Sequence, residues 1–306
     1  MESYYDFAGV VLKAQHADDY IFKKIDEELR YYRTERKQSD CTVRFNRDPH
    51  AAVPKKAIRT NALKTEFIYL DGGRMFIADK EGRYIISMSI AKKELAIDYT
   101  ENPIALRNLL RWLLKWLVIK TAEGKGLAFI HASAASYHGK TILFSGDSNC
   151  GKSSALLRLV RKGARAISDD SVITDGKRIF HFTFKTSVDG DFARRFGIPP
   201  GLYDIGKFVD RGQSYDKADL LIFLKIWNNE TSEMRPLKYD EALLSLVRIY
   251  KKEIPFLWSG LGGDGTKVIF EKYASILENA KCFEFCQGSD EDEVSRTLLD
   301  FLDRVR

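Results

Sequence analysis

Gly146-Asp147-Ser148-Asn149-Cys150-Gly151-Lys152-Ser153 fits the pattern G-x-x-x-x-G-K-S/T, and its residue types suit the holding of a polyphosphate. Gly146 and Gly151 allow backbone torsions closed to other residues, so the N–H groups of Asp147, Ser148, Asn149 and Cys150 can converge on phosphate oxygens. Lys152 is expected to reach the β and γ phosphates of ATP or GTP, and Ser153 to offer its hydroxyl to Mg²⁺, with Ser154 counted in the same nucleotide-binding stretch. Further on stand Asp169 and Asp170. Two adjacent carboxylates near a phosphate loop can divide the work, one holding Mg²⁺ through its water shell and the other accepting a proton from an attacking hydroxyl. The plainer readings are a Gly-rich turn without ligand and a solvent-facing Asp-Asp turn.

These groups need elements to carry them. Thr141-Ile142-Leu143-Phe144-Ser145 is a short β-prone apolar run entering the loop. Ser154 to Lys162 sets Leu156, Leu157, Leu159 and Val160 at helical spacing, so a helix leaves the loop with the positive end of its dipole toward the anion. Ile167-Ser168-Asp169-Asp170-Ser171-Val172-Ile173 is a second β-prone segment. A strand, helix and returning strand are expected to bring the carboxylates to the carboxyl end of a neighbouring strand, where ligands collect in open α/β sheets.

The stretch from His131 to Ile173 resembles the C-terminal catalytic domain of the HPr kinase/phosphorylase family, whose loop reads G-D-S-G-x-G-K-S against GDSNCGKS here. His131 precedes Gly146 at the family's distance in HASAASYHGKTILFSG. Lys162-Gly163-Ala164-Arg165-Ala166-Ile167-Ser168-Asp169-Asp170 matches the family's R-G-H-R-L-V-A-D-D without a gap. A weaker likeness continues to Asn228, with Asp219 to Trp227 as a later core strand. Ser154 stands where the family has Glu, Asn149 and Cys150 replace smaller or apolar residues, and the motif E-(I/V)-R-G-x-G has no counterpart in Phe182 to Gly201. The wording HASAAS and SDD is closer to diverged HPr-kinase-like serine kinases such as those acting on lasso-peptide precursors. The resemblance implies an α/β fold with a P-loop core of the HPr-kinase and PEP-carboxykinase type. It implies that Lys152 binds phosphates, that Ser153 and Asp170 serve Mg²⁺, that Asp169 is the general base and that His131 holds or tunes the pair; which Asp does which stays open. Lys185, Arg194 and Arg195 fall where the related kinases contact substrate or phosphate. True HPr kinases assemble as hexamers, so a homo-oligomer is among the expectations.

The chain has 306 residues, 44% hydrophobic and 30% charged, ample for one sizeable core and a smaller domain. Its most apolar segment, Leu106 to Ile119, is broken by Arg107, Arg111 and Lys115 and is too short to span a bilayer. The first residues lack the basic and apolar regions of a secretion signal, so a cytoplasmic protein without a membrane partner is expected. Cys41, Cys150, Cys282 and Cys286 are too few and scattered for a disulfide framework and read as free thiols; oxidation or alkylation of Cys150 that blocks nucleotide binding is the lesser reading of that position.

The expected division is residues 1–124, a smaller α+β domain with a possible role in substrate selection, and residues 125–306, the catalytic domain. In the first, Phe67 to Leu70, Arg74 to Ala78 and Arg83 to Ile90 are β-prone runs separated by Gly-containing turns, predicting an antiparallel meander. A helix from Asn102-Pro103 to about Lys120, with leucines on one face, is expected to pack the meander against the catalytic core. The net charge of +6 includes the basic, aromatic run Arg30 to Lys37, which suits RNA less well than it suits a solvated amphipathic helix. Ser259 to Lys267 is a Gly-rich loop with the composition of a lid, though an ordinary surface connection fits it better. Asp290 to Val305 reads as a closing helix. The favoured function is NTP-dependent phosphorylation of a hydroxyl, most simply a serine of a peptide or protein. The alternatives are a kinase of a small-molecule or RNA hydroxyl and a nucleotide-gated binding protein without transfer chemistry.

Overall fold

The computed structural model describes residues 1–16, 19–35, 38–48, 52–62, 66–71, 73–100, 107–183, 186–188, 201–203, 214–215, 217–253 and 266–305. They fall into two compact units, Met1–Lys125 and Gly126–Ile254 with Thr266–Arg306.

The first unit is built on an eight-stranded mixed sheet. Strands β1 (Glu2–Phe7) and β2 (Val10–Gln15) form a hairpin through Ala8 and Gly9, whose φ values of 56° and 85° are those of the tight turn that matches strand twist. Helix α1 (Asp19–Leu29) then crosses to β3 (Cys41–Arg47), which runs parallel to β2. The helix stops before the basic run: Arg30–Tyr32 is a 3-10 turn, Tyr32 is buried with its ring 4.2 Å from that of Phe7, and Arg33 pairs with Asp26 at 3.3 Å. The amphipathic helix expected over Arg30 to Lys37 therefore gives way to a packed aromatic turn; Arg36 and Lys37 lie outside the described residues.

Strands β4 (Ile58–Ala62), β5 (Glu66–Asp71), β6 (Arg74–Asp79), β7 (Tyr84–Ser89) and β8 (Glu94–Tyr99) form an antiparallel meander. It is longer than the three runs read from sequence, and β8 closes it onto β3 in parallel. Helix α2 (Arg107–Glu123) lies against β2, β3 and β8, burying Leu113, Trp116, Leu117 and Ile119; Asn102, Pro103 and Leu106 lie outside the described residues.

Asp79 closes the β6–β7 turn. Its carboxylate accepts from the amides of Glu81 and Arg83, both at 3.1 Å, and from the Arg83 guanidinium at two points, each at 2.9 Å. These bonds, the Arg83 side chain foremost, hold its pKa below the ordinary 3.8. Asp79→Ala is expected to cost about 2 kcal/mol at pH 7. Because the folded-state pKa is depressed, this stabilisation is fully present above the unfolded value and is lost as pH falls through the folded one. Urea denaturation of both proteins should therefore show a gap at pH 7 that narrows as the pH is taken below 3.8.

The second unit holds a six-stranded sheet of order β12-β10-β11-β18-β20-β19 and a four-stranded sheet of order β17-β14-β13-β9. The large sheet contains β10 (Ala132–Tyr137), β11 (Lys140–Ser145), β12 (Arg165–Ser168), β18 (Leu220–Ile226), β19 (Glu233–Pro236) and β20 (Lys281–Gln287). Its centre, β11, β18 and β20, is parallel, and continuous apolar runs such as Leu220 to Leu224 suit strands covered on both faces. Helices α3 (Lys152–Arg161) and α6 (Glu291–Arg304) bring Leu156, Leu159, Val294, Leu298 and Leu302 into one core with Phe144, Ile222 and Phe285. The Asp290 carboxylate caps α6 by accepting from the amides of Asp292 and Glu293.

The smaller sheet contains β9 (Ala128–Ile130), β13 (Val172–Thr174), β14 (Ile179–His181) and β17 (Ser214–Tyr215); a separate pair joins β15 (Thr186–Val188) to β16 (Gly201–Tyr203). Helices α4 (Tyr239–Glu253) and α5 (Thr266–Leu277) pack together beside β9, with the Tyr273 hydroxyl donating to the carbonyl of Phe129 at 2.5 Å. Two neighbouring chain segments pass between the sheets at the same level. One goes from β9 to β10 through His131, the other from β12 to β13 through Asp169, Asp170 and Ser171. Ile130 pairs with Val172 on one side of this crossing and Ala134 with Ser168 on the other. Among the described residues no helix is long and apolar enough to cross a membrane.

Candidate functional site

The antiparallel pairing of β10 with β11 sets Ala132 opposite Ser145, so the start of one strand lies beside the end of the other. His131, at the sheet crossing, is thereby brought next to the loop that begins at Gly146. The Ser145 hydroxyl fastens the junction by donating to the His131 carbonyl at 3.0 Å. His131 itself lies one strand back from the strand that enters the loop.

Gly146 has φ 153°, Asn149 φ 65° and Gly151 φ 94°, and the turn they make delivers the chain to the start of α3. Gly151 occupies the N-cap position without a side-chain cap, leaving the first amides of α3 to be satisfied by an anion. A Cβ on Gly146 would stand 2.6 Å from Cys150 Sγ and 2.7 Å from the carbonyl oxygen of Leu224; one on Gly151 would meet Gln287 at 3.0 Å. The Leu224 oxygen is backbone and cannot swing away. Gly146→Ala is therefore expected to displace the loop, lowering nucleotide affinity by at least about tenfold and stability by ~1–3 kcal/mol, measurable by nucleotide titration and thermal melts.

Lys152 is buried, and its ammonium donates to the carbonyls of Gly146 at 3.1 Å and Asp147 at 2.9 Å. The cation is thus already folded over the concave side of the loop. Asp147 pairs with Lys252 at 2.7 Å, and that bond holds its carboxyl below the usual range. Ser148 donates to Glu253 at 3.2 Å, while Asn149 and Ser148 are exposed. Cys150 points down into the core, its carbonyl accepting from Gln287 Nε2 at 2.7 Å. Burial pushes its thiol pKa up, which disfavours the thiolate and removes the ground for an oxidation-prone loop cysteine.

Asp169 does not sit inside a strand. It follows the end of β12, which runs beside β10 and is one strand removed from β11, so the expected neighbouring strand is the next but one. Only 2% exposed, its carboxylate accepts from Ser153 Oγ at 2.9 and 3.0 Å and from Ser133 Oγ at 2.5 Å. Thr183 fixes its backbone on both sides, accepting from the Asp169 amide at 2.7 Å and donating to its carbonyl at 2.9 Å. Asp170 is different. Its φ of 68° turns the chain sharply, and its side chain is 47% exposed. His131 Nδ1 lies 2.8 Å from the Asp170 carbonyl and 3.5 Å from its carboxylate; since a carbonyl only accepts, Nδ1 carries the proton there. Nε2 of the same ring lies 3.4 Å from Glu253.

The structure thus assembles the loop, Lys152, Ser153, Asp169, Asp170 and His131 at one end of the large sheet, with Ser154 on the first turn of α3. Lys185, Arg194 and Arg195 lie outside the described residues, as do Ser259 to Gly265. Ser133, Lys252, Glu253 and Gln287 were missed by sequence reasoning. Ser133 carried a signal, a hydroxyl two residues after His131 on an alanine-rich strand. The others reach the loop from distant elements and carried none.

The oxygens of Ser153 and Asp169, which touch each other, are hard donors of the kind that suits Mg²⁺, which is held by one or two protein groups together with phosphates; the Asp170 carboxylate follows one residue on, facing His131. The uncapped helix start, the glycine-lined turn and the buried Lys152 likewise fit a nucleotide polyphosphate.

No family model matches the chain. It is 30% identical over 124 residues to the HPr kinase/phosphorylase of Lachnoclostridium phytofermentans, covering 39% of this chain and 38% of that protein. It is 24% identical over 217 residues to the HPr kinase/phosphorylase of Enterococcus faecalis, covering 61% of this chain and 66% of that one. Among solved structures it is similar to the HPr(Ser) kinase/phosphatase from Coxiella burnetii, at 15% identity and a TM-score of 0.21 over 36% of this chain and 72% of the other. The chain is a distant homologue of HPr kinase/phosphorylases, on a mixed α/β fold with several sheets. It spans between about two fifths and two thirds of the length of these curated relatives.

Proposed function

We propose that the chain is an NTP-dependent kinase that transfers the γ-phosphoryl group to an acceptor hydroxyl, a serine of a peptide or protein. The observation that carries this reading is the contact between the loop and the carboxylate pair: Ser153 Oγ touches the Asp169 carboxylate while Lys152 folds over the same loop. The protein acceptor is supported by the names of the relatives, which are kinases of HPr.

In this reading the loop amides and Lys152 hold the β and γ phosphates of ATP or GTP. Mg²⁺ supplies charge neutralisation between those phosphates. The acceptor oxygen bonds to the γ phosphorus as the bond to the β–γ bridging oxygen breaks, the nucleoside diphosphate leaves, and the hydroxyl proton passes to a carboxylate. We assign Asp169, with Ser153, to the cation, and Asp170 to the proton, exchanging the roles that the family resemblance implies. The Ser153 hydroxyl has one proton and two lone pairs, so donating to Asp169 leaves lone pairs for a cation. Asp170 is half-exposed, where an incoming hydroxyl can reach it. His131 bonds the Asp170 backbone and holds that turn.

The test is transfer of labelled γ-phosphate from ATP and GTP into separated peptide, protein, RNA and metabolite fractions, beside Lys152→Ala. Label in peptide or protein only with the unsubstituted chain supports the reading. Tight Mg²⁺-nucleotide binding with no labelled acceptor in any fraction would remove transfer chemistry and leave a nucleotide-gated binding protein.

A further inference from the structure

We propose that Ser133 is a positioning residue that sets the Asp169 carboxylate for cation binding, an inference that rests on the phosphotransferase reading of this site. Ser133 lies on β10, fully buried, and its hydroxyl donates to Asp169 Oδ1 at 2.5 Å. Ser153 donates to both carboxylate oxygens at longer range, 2.9 and 3.0 Å. The two hydroxyls come from different elements: Ser153 sits on the loop helix, while Ser133 belongs to a strand paired on both sides, by β11 and by β12.

That difference assigns them different work. A carboxylate taken out of water needs donors to stay ionised, and its terminal torsion is soft unless something fixes it. Thr183 fixes the Asp169 backbone, accepting from its amide and donating to its carbonyl. Ser133 supplies the fixed point for the side chain. It holds Oδ1 from the paired strand, so that Oδ2 and the Ser153 Oγ that donates to it at 3.0 Å keep a fixed place from which to serve a divalent cation. Removing such a supporting hydrogen bond behind a metal ligand costs about 10–100-fold in metal affinity. An alanine in its place loses the donor while keeping the volume of a small strand residue, and Ser133→Thr keeps the donor on a β-branched residue suited to a strand.

The experiment is calorimetric titration of the full chain with ADP, in EDTA and in saturating Mg²⁺, for the unsubstituted protein, Ser133→Ala and Ser133→Thr, with melting temperatures as a check on folding. The expected result is that Mg²⁺ tightens ADP binding in the unsubstituted protein and in Ser133→Thr. In Ser133→Ala about tenfold of that gain is lost while affinity in EDTA stays unchanged. An unchanged Mg²⁺ gain in Ser133→Ala, an equal fall in EDTA, or loss of the gain in both variants overturns the inference while leaving the kinase reading standing. Absence of ADP binding by the unsubstituted protein under both conditions overturns the kinase reading and this inference with it.

Discussion

Lys152→Ala is expected to lower kcat/KM for phosphoryl transfer by about a thousandfold, close to 4 kcal/mol of transition-state stabilisation. The side chain is the buried cation lying against the loop carbonyls of Gly146 and Asp147. A phosphate group arriving at the loop offers it a full negative charge in place of two neutral carbonyls, so the ammonium has a favourable exchange to make. Its interaction strengthens as charge shifts toward the bridging oxygen, which is why the loss should appear in kcat as well as in KM. Stability should change little or rise, because the substitution removes a buried ammonium whose hydrogen bonds, among the described residues, go to neutral carbonyls. Steady-state kinetics beside nucleotide titration would separate the two effects. A variant that keeps kcat and loses only affinity would show that Lys152 binds uniformly and does not act on the transition state.

Asp169→Asn carries the second large effect, also about a thousandfold in kcat/KM. The amide keeps the shape but cannot accept from Ser133 and Ser153 at both ends, because one end is now a donor facing hydroxyls. If Asp169 serves the cation, raising Mg²⁺ should recover part of the lost rate. Asp170→Asn should respond differently: activity falls at any Mg²⁺ concentration, while ADP binding in Mg²⁺ stays near that of the unsubstituted chain. The opposite pattern, with Mg²⁺ recovery in the Asp170 variant and none in the Asp169 variant, would return the two carboxylates to the roles implied by family resemblance.

Thr141 to Ser145 and Ser154 to Lys162 were readable as a strand and a helix because each is short, apolar at a clear period and bounded by glycine, and β11 and α3 stand there. The loop was readable for the same local reason. The meander was legible only where Gly-containing turns mark it, so its closing strand β8 went unseen: Glu94 to Tyr99 follows a turn whose left-handed residue is Lys93, φ 53°, a type that gives no turn signal. The edge strand β1 was missed although its alternation is regular, and so was its hairpin partner β2. What no local pattern held is the double passage between sheets. It depends on the pairing of Ile130 with Val172 and of Ala134 with Ser168, residues far apart along the chain. For that reason Asp169 and Asp170 read as part of a strand when they follow its end, and Glu253, reaching the loop from the last turn of α4, was out of view.

Cys150 belongs at once to the glycine-flanked loop between β11 and α3 and to the core it shares with Phe144, Leu156, Leu224, Phe285 and Leu298. Many ligand-gripping segments are drawn from the least stable parts of a fold and open by themselves. This loop has no such freedom, because lifting it withdraws a core side chain and breaks the Gln287 bond to the Cys150 carbonyl. Opening therefore draws on the stability of the whole second unit, and a packing change in α6 becomes a change in how firmly the loop keeps its shape.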